Sequence, residues 1–179
     1  MSVAVYRVYP WSSVALYNGA TLLHFGLGTA GLIVAYDRWP ALALALGCAY
    51  LAFVLVQMYV LMPLTVCPSC AYRTMSGARC VSALNILSAR ITGTRPASEF
   101  PRRGSGILCH NNLYLGSLIA PIPLMVPGLV VNFAVAGLAL LLAVAGLLAF
   151  RFFVVFKRTA CPHCAAKGRC PNAQSMGIG

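Results

Sequence analysis

The sequence predicts an all-α membrane protein with four transmembrane helices, arranged as two tandem-duplicated antiparallel hairpins with a small Cys-rich cytoplasmic cap. Three observations lead to this prediction. The 179 residues are 60% hydrophobic and only 8% charged, whereas a soluble domain has about 25% charged residues. The apolar residues form four runs of the length that crosses a bilayer, which is about 20 residues. Six of the eight cysteines form two similar clusters, each directly after an apolar run.

The predicted spans lie at about residues 14–36, 41–66, 113–131 and 133–156. The connections within each pair are short, so each pair is expected to form an antiparallel hairpin. The first hairpin covers residues 1–66 and the second covers residues 113–156. Prolines 121, 123 and 127 lie in the third span, and because proline removes a backbone donor we expect that span to be kinked.

The cysteine clusters lie in the segments that follow each hairpin. The central loop, residues 67–112, contains an expected interfacial amphipathic helix at about 81–91, because its apolar residues recur on one helical face. Residues 157–179 form the second cysteine-containing segment, a C-terminal tail. A single polytopic domain with two cytoplasmic cysteine segments is therefore expected.

Matching residues in the two halves indicate an internal duplication. Cys67-Pro-Ser-Cys70 recurs 94 residues later as Cys161-Pro-His-Cys164, and each is followed by an Arg-Cys pair ending at Cys80 or Cys170. Upstream, Leu16-Tyr17-Asn18-Gly19 matches Leu113-Tyr114-Leu115-Gly116 at an offset of 97. An even number of spans separates the copies, so the expected symmetry axis runs along the membrane normal.

The positive charges predict the orientation. Of the 13 lysines and arginines only Arg38 lies between the spans of a hairpin, so both termini and the cysteine clusters are expected to be cytoplasmic. Arg151 is expected to snorkel to the same interface. The net charge of +11 flanks the spans, which indicates contact with lipid headgroups and excludes nucleic acid as the expected partner. The expected location is a bacterial or archaeal inner membrane.

The clustered thiols predict a metal site. A CxxC turn places two thiolates at one centre, as in tetrahedral zinc sites and iron–sulfur sites. Two arrangements remain open at this point: one site built from both CPxC turns, or one site for each copy. The candidate ligands are Cys67, Cys70, Cys80, Cys109, His110, Cys161, Cys164 and Cys170, with His163 as a less favourable addition. The cofactor is zinc or an iron–sulfur cluster, and the protein is expected to anchor a larger membrane complex or to transfer electrons within it, together with other membrane or cytoplasmic subunits.

A second hypothesis is thiol–disulfide exchange. Cys161-Pro-His-Cys164 resembles the active-site tetrapeptide of a thiol oxidase of the thioredoxin superfamily, a resemblance that covers four residues. The combination of four spans, a CxxC pair and further loop cysteines is similar to quinone-linked disulfide-generating enzymes and vitamin K epoxide reductases. This similarity implies a membrane oxidoreductase that reduces a quinone. A reducing cytoplasmic location favours metal binding instead, so whether the protein is an enzyme stays open.

His24 lies in the middle of the first span and is either a hydrogen-bonding residue between helices or a contact for a quinone. A transporter of a small molecule or metal ion is the third hypothesis. The chain has only two carboxylates, Asp37 and Glu99, and neither lies in a span, which excludes paired-carboxylate catalysis.

Overall fold

The computed structural model of the chain describes residues 4–100, 110–170, 173–174 and 176–178. Within these ranges the regular structure is helical, and four helices are long and apolar enough to cross a membrane. They comprise Trp11–Ala35, Pro40–Ser69, Asn112–Val131 and Val135–Ala160. The prediction of an all-α protein with four spans is confirmed, and we treat the chain below as a membrane protein.

In the described part of the chain, seven named α-helices follow one another. They are α1 (Trp11–Ala35), α2 (Pro40–Val56), α3 (Ala71–Thr74), α4 (Leu84–Ile91), α5 (His110–Ile119), α6 (Pro121–Val131) and α7 (Val135–Phe150). Two short 3₁₀ turns, Cys67–Ser69 and Lys167–Arg169, lie in the cysteine segments.

The second and fourth spans both end as π-helices of ten residues. We name them π1 (Gln57–Val66) and π2 (Arg151–Ala160). Each continues an α-helix without a break, and each ends directly before a CPxC turn. At the end of π2 the amide of Cys161 donates to the carbonyl oxygen of Phe156, five residues back, at 2.9 Å. Long π segments are rare and are frequent at functional sites, so this shared feature draws attention to the membrane end that carries the cysteines.

The core of the bundle is built around α1, which packs against α2, α6 and α7. Its most deeply buried apolar side chains are Phe25, Leu32, Val54, Met58, Leu118, Met125 and Val144. The opposite faces of the spans expose large apolar side chains such as Leu23, Leu44, Phe53 and Leu142. These faces are compatible with contact to lipid. Cys48 also lies on such an exposed face.

Close helix contacts depend on a subset of the glycines. A Cβ atom built at Gly28, Gly31 or Gly137 would lie 2.9 Å or less from a side chain of a neighbouring helix. At Gly19, Gly26 and Gly146 nothing lies within 4 Å of such a Cβ atom, so these three glycines are not at close helix contacts within the described residues. Gly128 is the tightest case involving backbone, because its Cβ would lie 2.6 Å from the carbonyl oxygen of Ala35.

Two predicted details change. The third span breaks at Ala120, between α5 and α6, while Pro123 and Pro127 lie inside α6 without ending it. The helix in the central loop begins at Leu84 instead of residue 81, because Ala83 has a left-handed backbone conformation with φ of 58°. Its buried residues are Leu84, Asn85 and Ser88, whereas Leu87 and Ile91 are exposed.

Candidate metal centre and buried polar centre

The two CPxC turns have the same backbone geometry. In the first, the amide of Cys70 donates to the carbonyl oxygen of Cys67 at 3.1 Å, and in the second the amide of Cys164 donates to that of Cys161 at 3.2 Å. In each turn the amide two residues after the second cysteine donates to its sulfur. For Cys164 this donor is Ala166, at 3.4 Å, and for Cys70 it is Tyr72. Such N–H···S bonds favour the thiolate form that a metal requires.

The third cysteine of the first cluster is held by Asn85, a residue that the sequence analysis did not single out. The Asn85 amide oxygen accepts from the backbone N–H of Cys80 at 3.0 Å, and its nitrogen donates to the carbonyl oxygen of Ala78 at 2.8 Å. The Cys80 sulfur lies 3.4 Å from the Ser82 hydroxyl. Helix α4 therefore fixes the loop that carries Cys80.

The segment before α1, residues 4–10, runs between the two cysteine segments and contacts both. The amide of Tyr9 donates to the carbonyl oxygen of Arg79 at 2.9 Å, and the amide of Tyr6 donates to that of His163 at 2.9 Å. The His163 ring stacks on Tyr6 with 4.2 Å between ring centroids. Through this stacking, His163, the less favourable candidate ligand, joins the N-terminal segment to the second CPxC turn.

The N-terminal segment also joins the cysteine segments to the bundle. The Tyr9 hydroxyl donates to the carbonyl oxygen of Ala160, the last residue of π2, at 2.5 Å. The Tyr72 hydroxyl donates to the carbonyl oxygen of Tyr6 at 2.9 Å and accepts from the amide of Ala165 at 3.1 Å. Tyr72 therefore bridges the first cysteine segment to the N-terminal segment and to the second cysteine segment.

Thiols from both clusters come together at this membrane end. Cys70, Cys80 and Cys164 all pack against one buried group that contains Tyr9 and Tyr72. Burial raises the pKa of the Cys70 thiol to about 12, the amide of Tyr72 opposes this rise, and thiolates at Cys80, Cys164 and Cys170 add to it. Burial, followed by thiolates at Cys170 and Cys164, raises the pKa of Cys161 to about 12. A charge on Cys164 or Cys170 in the second cluster is therefore felt by the Cys70 thiol in the first.

The arrangement of donors as it stands is not a closed metal site. Within the part of the chain that the structure describes, no three His, Cys, Asp or Glu side chains are placed to hold one ion. Among the candidate ligands Cys67 is buried, and Cys70, Cys80, Cys161, Cys164 and Cys170 are half-buried free thiols. Cys109 lies outside the described residues, as does the side chain of His110.

A second polar group lies deeper in the bundle, around Arg151. The expectation that Arg151 snorkels to the interface is wrong, because its side chain is fully buried. One guanidinium nitrogen donates to the Thr21 hydroxyl at 2.7 Å and another donates to the Tyr114 hydroxyl. The rings of Tyr17, Tyr114 and Phe156 surround the guanidinium, with centroids 5.4–5.8 Å from its central carbon.

The spacing of Arg151 in the sequence distinguishes it from the other positively charged residues, which a count of lysines and arginines does not. Arg151 lies 94 residues after Gln57, the same offset that separates the two CPxC turns, and both residues begin a π segment and are buried. A polar residue recurring at one repeat position inside apolar spans is a candidate for function.

His24 joins α1 to the third span. Its Nε2 lies 2.8 Å from the carbonyl oxygen of Leu118, next to the break before Pro121. This contact matches the expected hydrogen bond between helices, whereas the expected quinone contact stays a prediction. The Tyr50 hydroxyl donates to the carbonyl oxygen of Ser117 at 3.0 Å, which is the carbonyl that Pro121 leaves without its usual donor.

A cavity of about 250 Å³ connects the two polar groups. Its lining includes Tyr17, Tyr114 and Phe156, whose rings surround the Arg151 guanidinium, and also Cys161, Cys164 and Cys170. The remaining lining is apolar and contains Met62, Val81, Leu115, Leu118, Phe152 and Met176. A molecule in this cavity would contact the second cysteine cluster and the tyrosines beside Arg151 together.

Comparisons of the chain with protein families, with curated proteins and with solved structures found no match.

Proposed function

We propose that this chain is an integral membrane protein that binds zinc or iron through thiols of both cysteine clusters, and that it anchors a larger complex or transfers electrons within it. The observation that supports this function best is the convergence of two matching CPxC turns. Both turns direct a backbone N–H at the sulfur of their second cysteine, and these two cysteines, Cys70 and Cys164, pack against the same buried group.

The chemistry of the thiols favours metal binding over exchange. Burial raises the pKa of Cys70, Cys161 and Cys164, whereas thiol–disulfide exchange needs an accessible thiolate of lowered pKa. A bound metal ion replaces the thiol protons and so removes this obstacle. The quinone-linked oxidoreductase and the transporter therefore rank second and third among the candidate functions.

We infer that the metal lies between the clusters instead of within one copy. Cys70 is coupled to Cys80 in its own cluster and to Cys164 and Cys170 in the other. A metal held by this mixed set would lock the two hairpins together at one membrane end. Closing the site requires small movements of the sulfurs towards one centre, a change that metal binding commonly drives.

We also infer that the hairpins are tandem duplicates whose cysteine segments face the cytoplasm. The matching residues Tyr17 and Tyr114 lie against each other, with 3.1 Å between their hydroxyl oxygens, as residues beside a shared twofold axis would. The π segments have equal length and the same offset as the CPxC turns. The distribution of lysine and arginine supports the cytoplasmic placement.

The test is the metal content and visible absorption of the full chain, purified anaerobically in detergent. Iron with a visible band that dithionite bleaches supports an electron-transfer subunit, and zinc without colour supports a structural anchor. A shared site predicts that Cys70→Ser and Cys164→Ser each remove all the metal of that site, whereas separate sites predict that each removes half. Cys48→Ser is the matched control and should leave the metal content unchanged. Metal-free protein with thiols that oxidise to disulfides would contradict the proposal and favour exchange.

A further inference from the structure

The buried centre around Arg151 has more hydrogen-bond donors than acceptors. The guanidinium only donates, so the Tyr114 oxygen accepts from it, and the Tyr17 and Tyr114 hydroxyls lie 3.1 Å apart. When one phenol donates to the other, one hydroxyl hydrogen of the pair is used, and the second hydroxyl hydrogen remains able to donate to another acceptor. The Nε of Arg151 also has no acceptor among the described residues. Burying such donors without acceptors is unfavourable, so the centre is suited to a molecule that supplies oxygen acceptors.

The centre also carries a positive charge without a carboxylate. Arginine stays protonated in proteins, and the guanidinium partners are the hydroxyls of Thr21 and Tyr114. The chain has two carboxylates. Asp37 lies in the turn between α1 and α2, where it accepts from Asn132, and Glu99 lies in the central loop outside the spans. The three aromatic rings around the guanidinium offset part of its desolvation by cation–π attraction, and a single negative charge would offset the remainder.

The shape of the neighbouring space indicates the rest of the molecule. The cavity beside Tyr17 and Tyr114 is lined mainly by apolar and aromatic side chains. Phe152 and Met176 also line an apolar groove on the outer face of α7 and π2, together with Ala145, Leu148, Ala149, Phe153 and Lys157. The cavity and the groove therefore meet at Phe152 and Met176. An acceptor head in the cavity could extend an apolar tail along the exposed face of the fourth span.

We propose that this cavity binds a single-tailed amphipathic carboxylate of the fatty-acid type. The carboxylate accepts a hydrogen bond from the Tyr17–Tyr114 pair, and Arg151 acts as a positioning residue that polarises this pair and neutralises the charge. The tail leaves between Phe152 and Met176. The proposed contacts, Tyr17, Tyr114 and Arg151, include no candidate metal ligand, whereas Cys161, Cys164 and Cys170 line the same cavity.

The experiment measures binding of radiolabelled oleate to the full chain in nanodiscs of phosphatidylcholine at pH 7.5. We expect saturable binding of one oleate per chain, displaced by unlabelled oleate and at least tenfold less well by methyl oleate, which has the same tail without the charge. Arg151→Met and the double variant Tyr17→Phe/Tyr114→Phe should each weaken binding at least tenfold, and Arg151→Lys should retain part of it.

Tyr50→Phe is the matched control, because Tyr50 is a buried tyrosine that bonds a carbonyl oxygen but does not line the cavity. It should bind oleate as the unaltered chain does, and metal content should be unchanged in all these variants. Absence of saturable binding, equal displacement by the ester or by a neutral short-chain quinone, or an equal loss in Tyr50→Phe would overturn the proposal. If the full chain binds oleate but contains no metal, the result contradicts only the proposed metal function.

Discussion

At the scale of single residues, the buried thiols of Cys70 and Cys161 are held in their neutral form. Burial raises the pKa of Cys70 and of Cys161 to about 12, so at neutral pH both carry their protons. Buried neutral thiols behave as small apolar residues, and this explains how two cysteine clusters can pack against the same tyrosines without a metal. The same burial makes a metal ion the most effective means of ionising them.

This raised pKa predicts a pH dependence of the metal-free protein. An unfolded thiol titrates at about 8.5, so above that pH the unfolded chain releases protons that the folded chain keeps. The free energy of unfolding is therefore unaffected by these thiols below about pH 8 and falls as the pH rises towards 11, by up to about 1.4 kcal/mol per pH unit for each thiol. Denaturation in detergent at pH 7, 8.5 and 10 measures this slope.

The control for the pH dependence is the double variant Cys70→Ser/Cys161→Ser, which lacks two of the buried thiols and should show a shallower slope. Other buried groups contribute equally to both proteins, so the difference between the slopes isolates the two thiols. Identical slopes would mean that the thiols are not buried as described.

At the scale of elements, the third span is shaped by what its prolines remove. Pro121 has no N–H, so the carbonyl oxygen of Ser117 cannot receive its usual helical hydrogen bond. The Tyr50 hydroxyl of the second span supplies the donor at 3.0 Å, and His24 of the first span contacts the next carbonyl, that of Leu118. The break before α6 is therefore secured by side chains of two other helices.

A double-mutant cycle tests this account of the break. Tyr50→Phe should lower the free energy of unfolding by about 1–3 kcal/mol, because a buried carbonyl loses its donor. In a Pro121→Ala background the same change should cost less than about 1 kcal/mol, since the restored amide can donate to Ser117. Equal costs in both backgrounds, measured by thermal or chemical denaturation in detergent, would contradict the assignment.

The tightest approach of a glycine to backbone of the other hairpin involves Gly128. A methyl group there would lie 2.6 Å from the carbonyl oxygen of Ala35, and neither backbone can move aside cheaply. Gly128→Ala should therefore lower the free energy of unfolding by about 1–3 kcal/mol. Gly116→Ala in α5 is the matched control, because nothing lies within 4 Å of its Cβ position and alanine has the higher helix propensity. In detergent, the melting temperature should fall for Gly128→Ala and rise for Gly116→Ala relative to the unaltered chain.

At the scale of the whole molecule, the cysteine segments and the turns within the hairpins lie at opposite ends of the bundle. Both CPxC turns, the N-terminal segment and α4 lie at one end of the bundle, whereas the turn between α1 and α2 lies at the other. The Asn132 side chain donates to Asp37 there and links the turns of the two hairpins. The hairpins are therefore joined at both ends, and a metal at the cysteine end would add a third connection.

The predicted orientation of this molecule can be tested by labelling from one side of the membrane. Ser76 and Arg38 are exposed and lie at opposite ends. With the cysteine segments in the cytoplasm, Ser76→Cys should react with a membrane-impermeant maleimide only in inside-out vesicles, and Arg38→Cys only in right-side-out vesicles. Both variants carry Cys48→Ser, and the chain with Cys48→Ser alone measures the background of the native thiols. The reverse pattern would invert the predicted topology.

Much of the fold followed from patterns that depend only on local composition. Four apolar runs predicted four spans because a helix in lipid must be both long and apolar, and the short turns predicted hairpins. The helix of the central loop begins at Leu84, three residues later than predicted, because Ala83 has a left-handed backbone conformation. The CPxC repeat identified the cysteine segments, but no sequence pattern shows which thiols of one copy approach those of the other.

By itself, then, the sequence determined the all-helical four-span architecture and the end of the molecule at which the thiols lie, because hydrophobic length and residue spacing act within single segments. The tertiary structure alone decided that Cys70 and Cys164 pack against the same buried group. It also decided that Asn85 holds the Cys80 loop. It further decided that the Arg151 side chain turns inward to Thr21 and Tyr114. These features depend on how distant helices face one another. An arginine near a span end can point to water or to the core with the same local sequence, and the hydroxyls on α1 and α5 that receive it appear only when the helices pack.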